Sequence, residues 1–128
     1  MILLVALAAA SVAFPPIPEG FYAYDSSCRA AVAGVDKENP PTNLVLFTRN
    51  TFMDPLPEGG PEITGFQNVG GKRWKILTRT GGNGDGPSES GSFFIKIVGP
   101  DLFETEDYIT SYQYCPNVPA WIRKQWYE

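Results

Sequence analysis

The sequence contains no histidine, and this absence excludes several kinds of chemistry at once. A Ser-His-Asp triad, a Cys-His pair and zinc sites that rely on imidazole all require that residue. Cysteine is scarce as well, since the chain has only Cys28 and Cys115, and two thiolates alone make a poor metal cage. We therefore expect no metal site and no bound cofactor.

Basic residues are few and scattered along the chain. Ten Lys and Arg stand against fourteen Asp and Glu, which gives a formal net charge of −4 at pH 7. Proteins that bind nucleic acid through its phosphates concentrate Lys and Arg on one face. The composition therefore predicts no nucleic-acid partner.

Long apolar runs are also rare, and the first one has the features of an export signal. Residues 2–13 carry no charge and end in small residues, Ser11 to Ala13. The run is too short to cross about 30 Å of hydrocarbon as a helix, and prolines follow it at once. It predicts a signal peptide over residues 1–13, secretion, no stable membrane anchor and one domain over residues 14–128. A buried first strand is the alternative.

The two cysteines lie near opposite ends of the remaining chain. An even pair in a protein that enters an oxidising compartment favours a disulfide between Cys28 and Cys115. Two buried free thiols are the alternative.

Glycine and proline are abundant, at 13 and 12 residues, and they separate short apolar runs. Turn-forming residues between short runs that are rich in β-branched and aromatic residues are typical of all-β domains. Seven such runs suggest a barrel or a sandwich. The predicted strands are Phe21–Tyr24, Cys28–Ala33, Leu44–Arg49, Ile63–Val69, Arg73–Thr80, Ser92–Val98 and Tyr108–Cys115. Residues 120–128 fit a last strand or a short helix.

One glycine-rich stretch, residues 81–91, lies between two predicted strands and indicates a long hairpin loop. Loops often carry binding residues, so this loop is a candidate contact surface for a partner protein.

Asp25 stands among aromatic residues just before Cys28. Burial there would raise the pKa of its carboxyl group and let it donate a proton. The alternative is a turn, because Asp followed by two serines commonly bonds its own backbone.

Two segments carry a resemblance to a known family. The early one is Phe21-x-Ala23-x-Asp25 before a cysteine; the late one is Phe93 to Ile97, Glu106-Asp107-Tyr108-Ile109, Tyr112 to Cys115 and Ala120-Trp121. The late segment resembles the last strands of lipocalins, and both together look most like the lipocalin domain of violaxanthin de-epoxidases. The resemblance implies a small antiparallel lipocalin-like β-barrel. The Gly-x-Trp strand that opens a lipocalin barrel is not found, which leaves open an incomplete barrel.

Such a barrel would hold a small apolar ligand among its aromatic side chains, which is our first functional hypothesis. The resemblance suggests a carotenoid or another isoprenoid. The candidate ligand-binding residues are Phe21, Tyr24, Trp74, Phe93, Tyr108 and Tyr112. The sequence does not indicate the oligomeric state.

The resemblance also implies an enzymatic alternative. In that family an aspartate helps to protonate a xanthophyll epoxide while ascorbate supplies electrons as co-substrate, and Asp25 is the matching position. That activity would place the protein in the chloroplast thylakoid lumen rather than outside the cell. A third hypothesis is a secreted interaction or inhibitory protein that uses the loop at residues 81–91.

Overall fold

The chain folds into antiparallel strands that follow one another around a ring. The computed structural model describes residues 13–81, 88–106 and 109–128. The strands are β1 (Gly20–Tyr24), β2 (Leu44–Phe47), β3 (Phe52–Met53), β4 (Glu62–Gly70), β5 (Arg73–Thr80), β6 (Glu89–Gly99), β7 (Leu102–Thr105) and β8 (Thr110–Tyr114). Their order in the sheet is β3-β2-β1-β8-β7-β6-β5-β4, so β1 pairs with β8.

The sheet is nearly closed into a barrel between its two outer strands. Thr51 forms a bridge with Glu62, and the Ile63 N–H donates to the Asn50 carbonyl at 2.9 Å. These contacts join the start of β3 to the start of β4. Near-closure shortens the free edges that an open sheet would expose. The predicted all-β class and small antiparallel barrel are confirmed.

The barrel interior is filled because apolar side chains alternate with polar ones along the strands. On β6, Ile95 and Ile97 are buried while Lys96 between them is exposed. We call the inward-facing set the interior core. It consists of Ile17, Tyr22, Val45, Phe47, Ile63, Phe66, Ile76, Ile95, Ile97, Phe103 and Tyr112.

The end of the barrel where β1 begins is plugged by the segment before β1. The Phe14 ring lies 4.9 Å from that of Phe47 and 5.2 Å from that of Phe66, centroid to centroid. The Tyr22 hydroxyl donates to the Pro18 carbonyl at 2.6 Å and fastens the segment. We call this the plugged end. The predicted signal peptide lies outside the described residues except for Ala13.

A second layer covers the outer face of β1 and β2. It contains two short helices, α1 (Cys28–Val32) and α2 (Ala120–Trp126). Its buried residues, the outer core, are Phe21, Ala23, Ala31, Leu44, Leu46, Cys115, Ile122 and Tyr127. The predicted disulfide between Cys28 and Cys115 is confirmed, and it ties α1 to the end of β8. Neither helix has the length and apolar character needed to cross a membrane, nor does any other in the described ranges.

Several predicted elements need correction. Cys28–Ala33 is not a strand: Ser27 caps a helix there, and its hydroxyl accepts a hydrogen bond from the Ala30 N–H at 3.1 Å. Strands β3 and β7 were not predicted, because two and four residues are too short to show a period. Residues 120–128 needed no correction: they hold helix α2, which is one of the two predicted alternatives. β6 starts at Glu89, within the predicted loop, and residues 82–87 of that loop lie outside the described residues.

The disulfide generates a stability prediction. Replacing both cysteines by serine should lower the free energy of unfolding by about 4 to 5 kcal/mol, because the chain-entropy model assigns that value to loops of roughly this length. The bridge spans 87 residues. Urea unfolding would measure the change. The unaltered protein with reductant should match the serine variant, and equal unfolding midpoints with and without the bridge would contradict the prediction.

Candidate functional site

An open cavity lies at the barrel end opposite the plug, and we call it the mouth cavity. Its volume is about 530 Å³. This value falls within the range of about 300 to 1,000 Å³ that is typical of small-molecule sites. The lining residues are Phe52, Asp54, Pro61, Ser92, Phe93, Thr105 and Tyr112.

Aromatic rings form the walls and floor of the mouth cavity. The Phe52 ring lies 5.2 Å from that of Phe93 and 5.7 Å from that of Tyr112. Below them, Tyr112 stacks on Phe103 at 4.8 Å with the two planes 5° apart. Tyr24 stands beside Tyr112 at 5.3 Å. The cavity is therefore shallow and aromatic, and the interior core fills the space beneath it.

Asp54 reaches the rim because the connection between β3 and β4 is tightly folded. The Asp54 N–H donates to the Gly59 carbonyl at 3.0 Å. The Gly60 backbone passes so close to the Phe52 carbonyl that a Cβ atom would collide with it. The Leu56 N–H donates to the Trp126 carbonyl at 2.8 Å, which fastens the connection to α2.

The carboxyl group of Asp54 is partly desolvated, although the residue as a whole is exposed. Its pKa is raised, chiefly by partial burial, with a smaller contribution from the charge of Glu58. The Tyr24 hydroxyl donates to Asp54 Oδ1 and partly opposes this rise. At 3.3 Å that hydrogen bond is long, since most O–H···O bonds measure about 2.5 to 3.0 Å. The carboxylate thus keeps unused acceptor capacity.

The two phenols near Asp54 hold their protons firmly. Burial raises the pKa of Tyr112 to about 12, and the charges of Asp54 and Asp25 add to the effect. Burial and the same two carboxylates also raise the pKa of Tyr24. Both phenols are therefore neutral at pH 7 and present hydroxyl groups beside a carboxylate.

Thr105 places an unsatisfied polar group at the cavity. Its side chain points into the barrel, the residue is only 6% exposed, and its hydroxyl oxygen makes no hydrogen bond. That hydroxyl lies close enough to the Tyr112 phenol to oppose part of the rise in its pKa, although the geometry does not meet that of a hydrogen bond. A buried hydroxyl without a partner costs about 1 to 3 kcal/mol. Because native proteins leave few such groups, each one calls for an explanation, such as a functional role or a bound water or ion.

The structure brings together some of the predicted ligand-binding residues. Phe93 and Tyr112 line the mouth cavity, and Tyr24 adjoins it. Trp74 packs against the interior core but does not line the cavity. The prediction for Phe21 is corrected: its ring faces outward and packs edge-on against Tyr127 at 4.9 Å. Tyr108 lies outside the described residues.

Asp25, the predicted proton donor, is exposed just beyond the end of β1. Its backbone φ is 56°, in the left-handed region that Asp tolerates in turns, so the local structure is the turn alternative. The burial that a proton donor would need is absent. The charge of Asp25 nevertheless raises the pKa of Tyr24 and of Tyr112, so Asp25 lies near the rim of the mouth cavity.

Sequence reasoning missed Asp54, Phe52 and Thr105. Asp54 does carry a weak signal, because it lies two residues after the aromatic Phe52, much as Asp25 follows Tyr24. Thr105 carries none, because its strand was not predicted. Within the described ranges, no group of three or more Cys, Asp or Glu side chains is arranged to hold a metal ion.

The raised pKa of Asp54 predicts how its replacement changes stability with pH. The unfolded state loses this proton near the ordinary value of 3.8, before the folded state does. The contribution of the carboxyl to stability therefore falls as pH rises from about 3.8 through the raised pKa of the folded state. We expect Asp54→Asn to stabilise the protein relative to the unaltered chain by an amount that grows across this window. Urea unfolding at several pH values would measure this gain in the free energy of unfolding, with Asp101→Asn as the matched control substitution. A gain that shrinks as pH rises would contradict the prediction.

Comparisons with known proteins give no match for this chain, whether among protein-family models, curated proteins or solved structures. The case for a function therefore rests on the geometry and chemistry of the mouth cavity.

Proposed function

We propose that this protein binds a small, mainly apolar ligand in the mouth cavity. The observation that carries the proposal is an open cavity of about 530 Å³, walled by Phe52, Phe93 and Tyr112, at one end of a barrel plugged at the other. Aromatic walls with a few polar groups on one side are typical of small-molecule sites. The apolar walls supply affinity, and the polar groups fix the orientation of the ligand.

The shape of the interior favours a compact ligand. Tyr112, Phe103 and Phe47 fill the barrel below the cavity, so an extended molecule would project from the mouth. A long carotenoid would leave much of its chain in water, whereas a compact isoprenoid or a single ring system fits. That the ligand is a carotenoid or another isoprenoid remains a prediction, and it rests on the resemblance to lipocalins.

The disulfide supports a place of action outside the cytosol. Disulfides persist in oxidising compartments and are rare where thiols are kept reduced. The bridge between Cys28 and Cys115 is compatible with an extracellular location. Secretion is therefore our proposal, with the thylakoid lumen as the alternative that the de-epoxidase resemblance implies.

Reduction of a xanthophyll epoxide with ascorbate is a second candidate. One observation favours it: the charges of Asp25 and Asp54 both raise the pKa of Tyr112 at the mouth cavity, so two carboxyl groups lie near an apolar surface. The exposure of Asp25 weighs against it. Absorption spectra of the protein with violaxanthin and ascorbate at mildly acidic pH should show no red shift, and a time-dependent shift that Asp25→Ala abolishes would make the protein an enzyme.

The interaction hypothesis for residues 81–91 stays a prediction, because most of that loop lies outside the described residues.

The binding proposal is tested with N-phenyl-1-naphthylamine, an uncharged probe whose fluorescence rises in apolar surroundings. Titration should give saturable binding, and Phe93→Ala should weaken it about tenfold, because an aromatic contact adds about 0.5 to 1.5 kcal/mol beyond its buried area.

Phe94→Ala is the matched control for this test. Phe94 is the next residue on β6, but its ring faces outward beneath the Arg73 guanidinium at 4.3 Å. Phe94→Ala should leave probe affinity unchanged. Equal affinities for both variants and the unaltered protein would show that the probe binds elsewhere and would overturn the proposal.

A further inference from the structure

We propose that the ligand of the mouth cavity is a cation, namely a compact protonated amine whose ammonium group binds Asp54 and whose apolar body packs on the aromatic walls. This inference rests on the proposed function, because it names the chemical class of ligand for the same cavity.

The first observation is a carboxylate without a cationic partner at an aromatic site. The ion pairs in the described part of the chain are Arg49 with Glu19, Arg73 with Glu106, Arg79 with Glu62, and Arg123 with Glu128. Neither Asp54 nor Asp25 takes part in them. The segments outside the described residues contain no Lys or Arg, so no basic side chain from them is available to Asp54.

The second observation is independent of the carboxylates. The Thr105 hydroxyl is nine-tenths buried, lines the cavity and lacks a hydrogen-bond partner. Its oxygen and the oxygens of the neutral phenols can each accept a hydrogen bond. An ammonium group carries three N–H donors and no acceptor, so it suits a site where acceptors are in excess.

The walls add a third attraction for positive charge. The faces of aromatic rings carry partial negative charge, so they attract a cation that lies above them, most strongly when water is excluded. Phe52, Phe93 and Tyr112 present rings to the cavity that also contains Asp54. A carboxylate-bearing ligand such as a fatty acid would instead face Asp54 and Asp25 without any basic residue among the lining residues.

The test uses three probes that share one ring and differ in charge: 2-phenylethylamine, 2-phenylethanol and 3-phenylpropanoate. Calorimetric titration at pH 7 should show the amine binding about tenfold more tightly than the alcohol, because only the amine brings a positive charge to the carboxylate. The propanoate should bind most weakly. Added salt should weaken binding of the amine but not of the alcohol.

Asp54→Asn should weaken amine binding about tenfold and leave the alcohol unchanged. Asp101→Asn removes the same charge from the β6–β7 turn at the plugged end, so it should change neither affinity. If Asp54→Asn fails to fold by circular dichroism, the amine–alcohol ratio and its salt dependence in the unaltered protein decide the question.

Each remaining outcome separates this inference from the proposed function. Equal affinities for the amine and the alcohol would overturn the cation inference while leaving the cavity as a binding site. The same holds if none of the three probes binds but N-phenyl-1-naphthylamine does. If that naphthyl probe also fails to bind, both proposals are overturned.

Discussion

The barrel depends on side chains that fill its interior, and Phe47 lies at the centre of this interior core. Its ring contacts those of Phe14, Phe52 and Phe103 at centroid distances of 4.9, 5.2 and 5.4 Å. One residue thus connects the plug, a wall of the mouth cavity and the middle of the interior core. Because protein interiors pack at nearly crystalline density, the rings exclude ligands from the lower barrel. The free space is left at the mouth, where the packing ends.

The outer layer determines where the rim of that mouth lies. The disulfide fastens α1 to the end of β8, and Tyr127, which follows α2, donates its hydroxyl to the Leu44 carbonyl at 2.7 Å. The Trp126 carbonyl in turn accepts from Leu56 in the connection that carries Asp54. The outer layer therefore positions the carboxylate at the candidate site, through contacts on the opposite side of the barrel wall.

The site itself works against stability. A partly desolvated carboxylate and an unpaired buried hydroxyl both raise the free energy of the folded state. Substitutions that remove the charge of Asp54 or the hydroxyl of Thr105 would therefore lower the free energy of the folded state. Local violations of this kind cluster at functional sites, where a ligand supplies the missing partner. Both groups line the mouth cavity, and a cation with N–H donors offers the hydrogen bonds that such acceptors can take, which links the energetic defect to the chemistry of the proposed ligand.

The sequence by itself determined the elements whose signals are local. Alternating residues specified β5 and β6, glycine and proline marked the turns, and the cysteine pair indicated the bridge. Where a local signal competed, as at Ser27, the helix cap overrode the strand preference of the following residues. Tertiary structure decided the site. Asp54 meets Tyr24 across 30 residues, and Thr105 reaches the cavity from a four-residue strand, because closure of the ring brings their strands to the same rim. Contacts that form when the barrel closes leave no periodic pattern in the chain, so local sequence patterns cannot predict them.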